Sequence, residues 1–208
     1  MQKTPEFLFH GPSHFDWTIA LAHGAGAAMD TPFLNAFAAG IAQEGIRVVR
    51  FEFPYMAERR HTGKRRPPDR EPVLRETWLK VVGELGPKRL VIGGKSMGGR
   101  IASMIADEAG VAGLVCLGYP FHPVGKPDRL RVEHLRTLST PALIVQGTRD
   151  QFGSHEEVAA YELSSAIRVQ WVEDGDHDLK SRKASGRTQH QNWDSAIAEV
   201  VAFVQGLT

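Results

Sequence analysis

Arg89-Leu-Val-Ile-Gly-Gly-Lys-Ser-Met-Gly-Gly-Arg100 is the stretch on which the reading of this chain turns. A short apolar run, Leu90 to Ile92, stops at two glycines. Ser96 follows, with Gly94 two residues before it and Gly98 two residues after. Ile101, Met104 and Ile105 then recur at helical spacing. Strand, Gly-x-Ser-x-Gly, helix is the order of a nucleophile elbow, a tight turn that lifts a serine hydroxyl to the carboxyl end of a sheet. Such a turn strains the serine backbone and brings strand and helix close together, so residues without a Cβ are needed at 94 and 98. It also places the Met97 N–H at a helix start, where negative charge is stabilised.

Two other readings compete. Gly94-Lys95-Ser96 matches the end of a phosphate-binding P-loop, but that motif needs glycine at 89, where Arg stands, and a loop where Leu-Val-Ile predicts a strand. A structural glycine turn with an idle serine is the other, because five-residue matches of this kind arise by chance. The rest of the chain has to separate them.

Working outward, 208 residues suffice for one α/β domain spanning 1–208. Hydrophobic residues make up 42% and charged residues 24%, values of an ordinary globular chain. A net charge of +1 supplies no general attraction to nucleic acid or to an anionic membrane. No apolar run approaches the ~20 residues of a membrane-spanning helix. The first residues lack the apolar core of a signal peptide, and Cys116 is the single cysteine, which excludes an internal disulfide. A cytoplasmic location is therefore expected.

Trp17 to Ala22, Arg47 to Phe53, Leu114 to Leu117, Ala142 to Val145 and Arg168 to Val172 predict further strands, with Glu6 to Phe9 at an edge. Between them, Phe33, Phe37 and Ile41 predict a helix, as do Val73, Thr77, Trp78, Val81 and Leu85. The elbow helix should run to Gly110. Helices are also expected over 132–138 and 155–166, and a last one carries Trp193, Ile197 and Val204. Residues 54–72, rich in Arg and interrupted by Pro67-Pro68, predict a long exposed loop. Strands alternating with helices imply a mainly parallel, doubly wound sheet, whose ligands bind beyond the carboxyl ends of the strands.

A serine nucleophile needs a base, and the base needs an orienting acid. Asp150 stands just after the Ala142–Val145 run and His177 just after the Arg168–Val172 run, so all three fall at strand ends in the order Ser, Asp, His. Asp174, Asp176 and Asp178 are rival acids, though sequence neighbours seldom reach the far imidazole nitrogen. Their spacing also suggests a calcium loop, which Leu179 and Ser185 rule out at positions needing Gly and Glu. For the oxyanion the donors are the Met97 N–H and, from the glycine-rich loop after Ala22, the Ala25 N–H with Gly24 next. Lys95 and Arg100 read as ion-pair partners, His122 as a pocket wall, and Cys116 as a buried apolar residue. His10, His14, His61, His134, His155 and His190 read as surface residues.

The combination of His-Gly-Ala-Gly (23–26), Phe-Pro-Tyr-Met (53–56), Arg-Arg-Pro-Pro (65–68), the elbow, Gly-Tyr-Pro-Phe-His-Pro (118–123), Gln-Gly-x-x-Asp (146–150) and Gly-Asp-His (175–177) resembles small α/β hydrolases related to dienelactone hydrolase. That group includes bacterial predicted hydrolases, a testis-expressed vertebrate protein and a subunit of the NSL histone acetyltransferase complex. The resemblance implies an α/β-hydrolase fold without a large lid domain and a triad of Ser96, Asp150 and His177. Dienelactone hydrolase itself uses a cysteine nucleophile, so its chemistry is not carried over. The expected activity is that of a carboxylesterase or thioesterase on a small molecule, with no metal or cofactor implied. An interaction module that keeps the fold without catalysis is the alternative. Two basic stretches, 58–71 and 180–187, are expected on the catalytic rim. Arg65 and Arg66 lead the candidates for holding an anionic substrate, with Tyr119 and His122 as further substrate contacts.

Overall fold

The computed structural model describes residues 4–208. Its strands are β1 (Phe7–His10), β2 (Thr18–Ala22), β3 (Arg47–Phe51), β4 (Leu90–Lys95), β5 (Gly113–Leu117), β6 (Ala142–Gly147) and β7 (Ile167–Val172). They form one sheet in the order β1-β3-β2-β4-β5-β6-β7. Among the described residues only the edge strand β1 is antiparallel, to β3; the other pairings are parallel. β2, β4, β5 and β6 are buried along their whole length. Both of their faces are covered, which explains continuous apolar runs in place of alternation.

The helices are α1 (Pro32–Gln43), α2 (Pro54–Thr62), α3 (Glu71–Leu85), α4 (Met97–Ser103), α5 (Ala106–Ala109), α6 (His155–Ala159) and α7 (Gln189–Gln205). Successive strand residues point to opposite faces and so feed two cores. Ile19, Leu21, Val91, Val115 and Val145 pack with Phe33 and Phe37 of α1 and Trp193 and Val200 of α7. Ala20, Ala22, Ile92, Leu114 and Ile144 pack with Trp78 and Val81 of α3 and Ile101 of α4. Thr31 caps α1, its Oγ1 accepting the Leu34 N–H at 3.3 Å, and Pro32 occupies the first helical position. Thr188 and Gln191 form a reciprocal capping box at the start of α7.

Four sequence expectations are corrected. Residues 54–72 are not all loop: Pro54 opens α2, which buries Tyr55 and Met56 and places Arg59 and Arg60 in its last turn, where cations are favoured by the helix dipole. Two apolar residues in one turn are too few to show a period. The elbow helix breaks at Met104-Ile105 into α4 and α5. Residues 132–138 form only a 3₁₀ turn at Glu133–Leu135. The Ser164 N–H donates to the Leu135 carbonyl at 2.9 Å and the Ser164 hydroxyl to the Leu138 carbonyl at 2.6 Å, so tertiary contacts take groups a longer helix would use. The helix expected over 155–166 stops at Ala159. Between β5 and β6 that 3₁₀ turn is the one helical element, so no large lid domain covers the rim. Among the described residues, no helix is long and apolar enough to cross a membrane.

Candidate active site

Parallel strands end together, and Ser96, Asp150 and His177 follow β4, β6 and β7 on one rim of the sheet. Ser96 has φ 51° and ψ −117°, a region that costs a non-glycine residue about 1–3 kcal/mol. The surroundings hold it there. Its N–H donates to the Leu117 carbonyl at 3.0 Å, and its own carbonyl accepts the Arg100 N–H at 3.0 Å. Gly94 and Gly98 are required by close approach: a Cβ would lie 2.1 Å and 2.6 Å, respectively, from the Ala22 carbonyl oxygen. Met97 is the first residue of α4, so its N–H has no acceptor within the helix. Behind the turn, the Trp78 indole donates to the Gly98 carbonyl at 3.3 Å.

His177 Nδ1 lies 2.8 Å from Asp150 Oδ2. Asp150 is fully buried, and both of its carboxylate oxygens accept hydrogen bonds. Oδ2 also accepts from Gln146 Nε2 at 2.9 Å, and Oδ1 accepts the Phe152 N–H at 2.9 Å. Gln146 is itself clamped, its Oε1 accepting the Tyr119 N–H at 2.7 Å. The Phe152 ring packs on the imidazole with centroids 4.3 Å apart. Donor to Asp150 on one edge and packed on one face, His177 has its ring orientation set by its neighbours.

Ser96 lines two adjoining cavities, of about 570 Å³ and 370 Å³. His177, Gly24, Lys95 and Trp193 line the larger; Met97, Arg100, Pro120 and Arg131 line the smaller; Ala25 and Phe152 border both. The loop carrying Gly24 and Ala25 is tied down from beneath. The Tyr55 hydroxyl donates to the Ala25 carbonyl at 2.9 Å. His23 is buried, with Nε2 accepting the Phe53 N–H at 3.1 Å and Nδ1 2.7 Å from the Gly24 carbonyl. Burial pushes the His23 imidazole below its ordinary value, and both nitrogens are occupied in holding the loop. Lys95 and Asp178 join the elbow to the histidine loop through an ion pair at 3.2 Å. Burial lowers the Lys95 ammonium, and Asp178 opposes that shift.

Other sequence candidates lie elsewhere. Tyr119 is fully buried, its hydroxyl donating to the Arg131 carbonyl at 2.9 Å, and lines neither cavity at Ser96. His122 is likewise buried, with Nδ1 2.9 Å from the Pro123 carbonyl and Nε2 3.5 Å from Glu157, and walls neither cavity at Ser96. Arg65 and Arg66 reach neither cavity. Arg66 is engaged by Glu58 at 2.8 Å and Asp69 at 3.1 Å, because α2 turns Glu58 back toward it. His134 is not a free surface residue, since its Nε2 lies 2.8 Å from the Ser103 hydroxyl. Cys116 is buried mid-strand, as its apolar setting suggests, and burial pushes its thiol up. Gln146, Phe152 and Tyr55 were missed as supporting residues. Nothing in their spacing marks them; only the Phe-Pro-Tyr-Met run, with Tyr55, and the Gln-Gly-x-x-Asp run, with Gln146, carried a hint.

Of the rival acids, Asp174 is committed to arginines. Arg182 reaches it with its backbone N–H and Nε, each at 2.7 Å, and Arg149 with Nε at 2.9 Å. The Arg182 hydrogen bonds lower its carboxyl from 3.8 to about 2. A carboxyl depressed on folding stabilises the fold above its unfolded value and ceases to as pH falls through the folded one. Asp174→Asn should therefore melt below wild type at neutral pH, and the gap should close as pH drops from about 4 toward about 2. Melting curves across that window check it; a gap that stays constant with pH contradicts the assignment.

Residues 16–205 match the model of the alpha/beta hydrolase domain, and the chain belongs to that family. Solved structures share the fold at low identity. Dienelactone hydrolase from Anabaena variabilis superposes with a TM-score of 0.71 at 16% identity, covering 99% of each chain. An alpha-beta serine hydrolase homologue from Coxiella burnetii gives 0.70 at 19%, covering 95% of this chain and 90% of that one. A serine hydrolase without lid from Xanthomonas campestris gives 0.69 at 15%, covering 97% and 88%.

Proposed function

We propose that this chain is a serine hydrolase of small carboxylic esters or thioesters, acting through a covalent acyl-enzyme. The observation that carries the reading is the 2.8 Å contact of His177 with buried Asp150, on a cavity that His177 shares with a strained Ser96. Ser96 Oγ attacks the carbonyl carbon while His177 Nε2 takes its proton. The bond to the leaving oxygen or sulfur breaks, and His177 returns the proton to that atom. Water, deprotonated by the same imidazole, then attacks the acyl carbon; the bond to Ser96 Oγ breaks, His177 returns the proton to that oxygen, and the acid leaves. Asp150 holds the imidazole with its proton on Nδ1 and stabilises the imidazolium. The Met97 N–H and the Ala25 N–H, with Gly24 next, receive the oxyanion. The scheme uses no metal or cofactor.

The motif combination supports placing the chain, as one domain over 1–208, with the small dienelactone-hydrolase-related enzymes, and the lone buried Cys116 fits a cytoplasmic location. A fluorophosphonate probe tests the activity directly. Native protein should be labelled at Ser96, as located by peptide mass spectrometry, and heat-denatured protein should not. Absence of labelling on folded protein would make the chain an interaction module instead.

A further inference from the structure

In the smaller cavity at Ser96 one arginine is left without an acid to pair with. Arg100 and Arg131 both line it, with Asp69 and Glu71. Asp69 is already engaged by Arg66 at 3.1 Å and by the Tyr55 N–H at 2.9 Å. Glu71 faces Arg100 at 3.7 Å. Arg131 remains: among the described residues no carboxylate lies within 4.0 Å of its guanidinium, and its charged neighbour is Arg100. Its main chain is fixed on both sides, the N–H donating to the Phe121 carbonyl at 2.7 Å and the carbonyl accepting the Tyr119 hydroxyl at 2.9 Å. Burial and Arg100 together push the guanidinium below its ordinary range. A half-buried cation with a like charge beside it is stabilised by an incoming anion.

The position says which part of a substrate carries that anion. His177, which must protonate the leaving atom, lines the larger cavity and not the smaller. The leaving group therefore occupies the larger cavity, and the acyl chain extends past Met97 into the smaller one, toward Arg131.

Resting on the Ser96 reading, we propose that Arg131, with Arg100 beside it, binds a carboxylate at the far end of the acyl chain, so that the substrate is a monoester or monothioester of a dicarboxylic acid. The planar guanidinium fork matches a carboxylate, and a rim lysine would not supply that geometry.

The test compares 4-nitrophenyl monoesters of succinic, glutaric and adipic acid with the butanoate, pentanoate and hexanoate of matched chain length. In wild type at low salt, kcat/KM should favour the acid-ended ester for at least one length, and the preference should shrink as salt rises. Arg131→Gln should lower that ratio about 10- to 100-fold, the scale of a hydrogen bond to a charged group. Arg131→Lys should retain part of it, and Arg65→Gln, on the outer loop, should leave it intact. A neutral ester preferred at every length, or a ratio unmoved by Arg131→Gln, overturns the proposal. Glutarate itself gives a readout free of catalysis: it should raise the melting temperature of wild type and not of Arg131→Gln. If no ester is turned over, the Ser96 reading fails, and the glutarate-dependent melting shift still decides the subsite, its absence in wild type counting against it.

Discussion

Ser96→Ala should abolish hydrolysis of 4-nitrophenyl acetate, with a loss in kcat of up to ~10⁶-fold, the scale seen when a triad nucleophile is removed. The change deletes one oxygen. The Ser96 side chain makes no capping bond to α4, and the turn is held by main-chain bonds to Leu117 and Arg100 that alanine keeps. The variant should therefore fold and melt close to wild type, so that loss of turnover reports chemistry and not collapse. Steady-state rates with a melting curve on the same sample make the comparison. A variant that matches an active wild type would move the nucleophile elsewhere.

Asp150→Asn should cost roughly 10⁴ in kcat, the loss that follows when an amide forces the wrong imidazole tautomer. The environment explains why. Asp150 Oδ2 receives donors from His177 Nδ1 and Gln146 Nε2, and Oδ1 receives the Phe152 N–H. An asparagine amide turned toward His177 presents N–H where two donors already point. The imidazole must then carry its proton on Nε2, the nitrogen that has to accept the Ser96 proton. The opposite flip sets the amide against the Phe152 N–H. Either way a buried donor loses its acceptor, at about 1–3 kcal/mol, so a lower melting temperature should accompany the kinetic loss. Full activity in Asp150→Asn would return the orienting role to the acids of the histidine loop. Their present bonds argue otherwise: Asp174 is held by Arg149 and Arg182, Asp176 accepts the Asp178 and Lys180 N–H groups, and Asp178 pairs with Lys95.

The four buried strands and the elbow were legible because their signals are local. Continuous apolar runs ending in glycine predict strands covered on both faces, and Gly94 and Gly98 stand where the turn tolerates no Cβ. The helix at 54–62 was hidden because its buried face is only Tyr55 and Met56, among arginines that suggest a solvated loop. The short helices near 132 and 155 were over-read because Leu135, Leu138 and Val158 are buried by contacts with other segments and not by a helical stripe of their own.

The sequence by itself determined the order of elements, the parallel sheet and the rim on which Ser96, Asp150 and His177 stand, since each follows from periodicity and strand-end position. Only the tertiary structure decided which charges face that rim. The basic run at 58–71 looked like a collar for anions. Folding pairs Arg60 with Asp30 and Glu52, and Arg66 with Glu58 and Asp69. It brings Arg131, a residue no local pattern singled out, to the wall beside Ser96, where among the described residues no carboxylate pairs with it. Charge composition is a property of the chain, but whether a charge is spent on a neighbour depends on distances of a few ångströms between segments far apart in sequence.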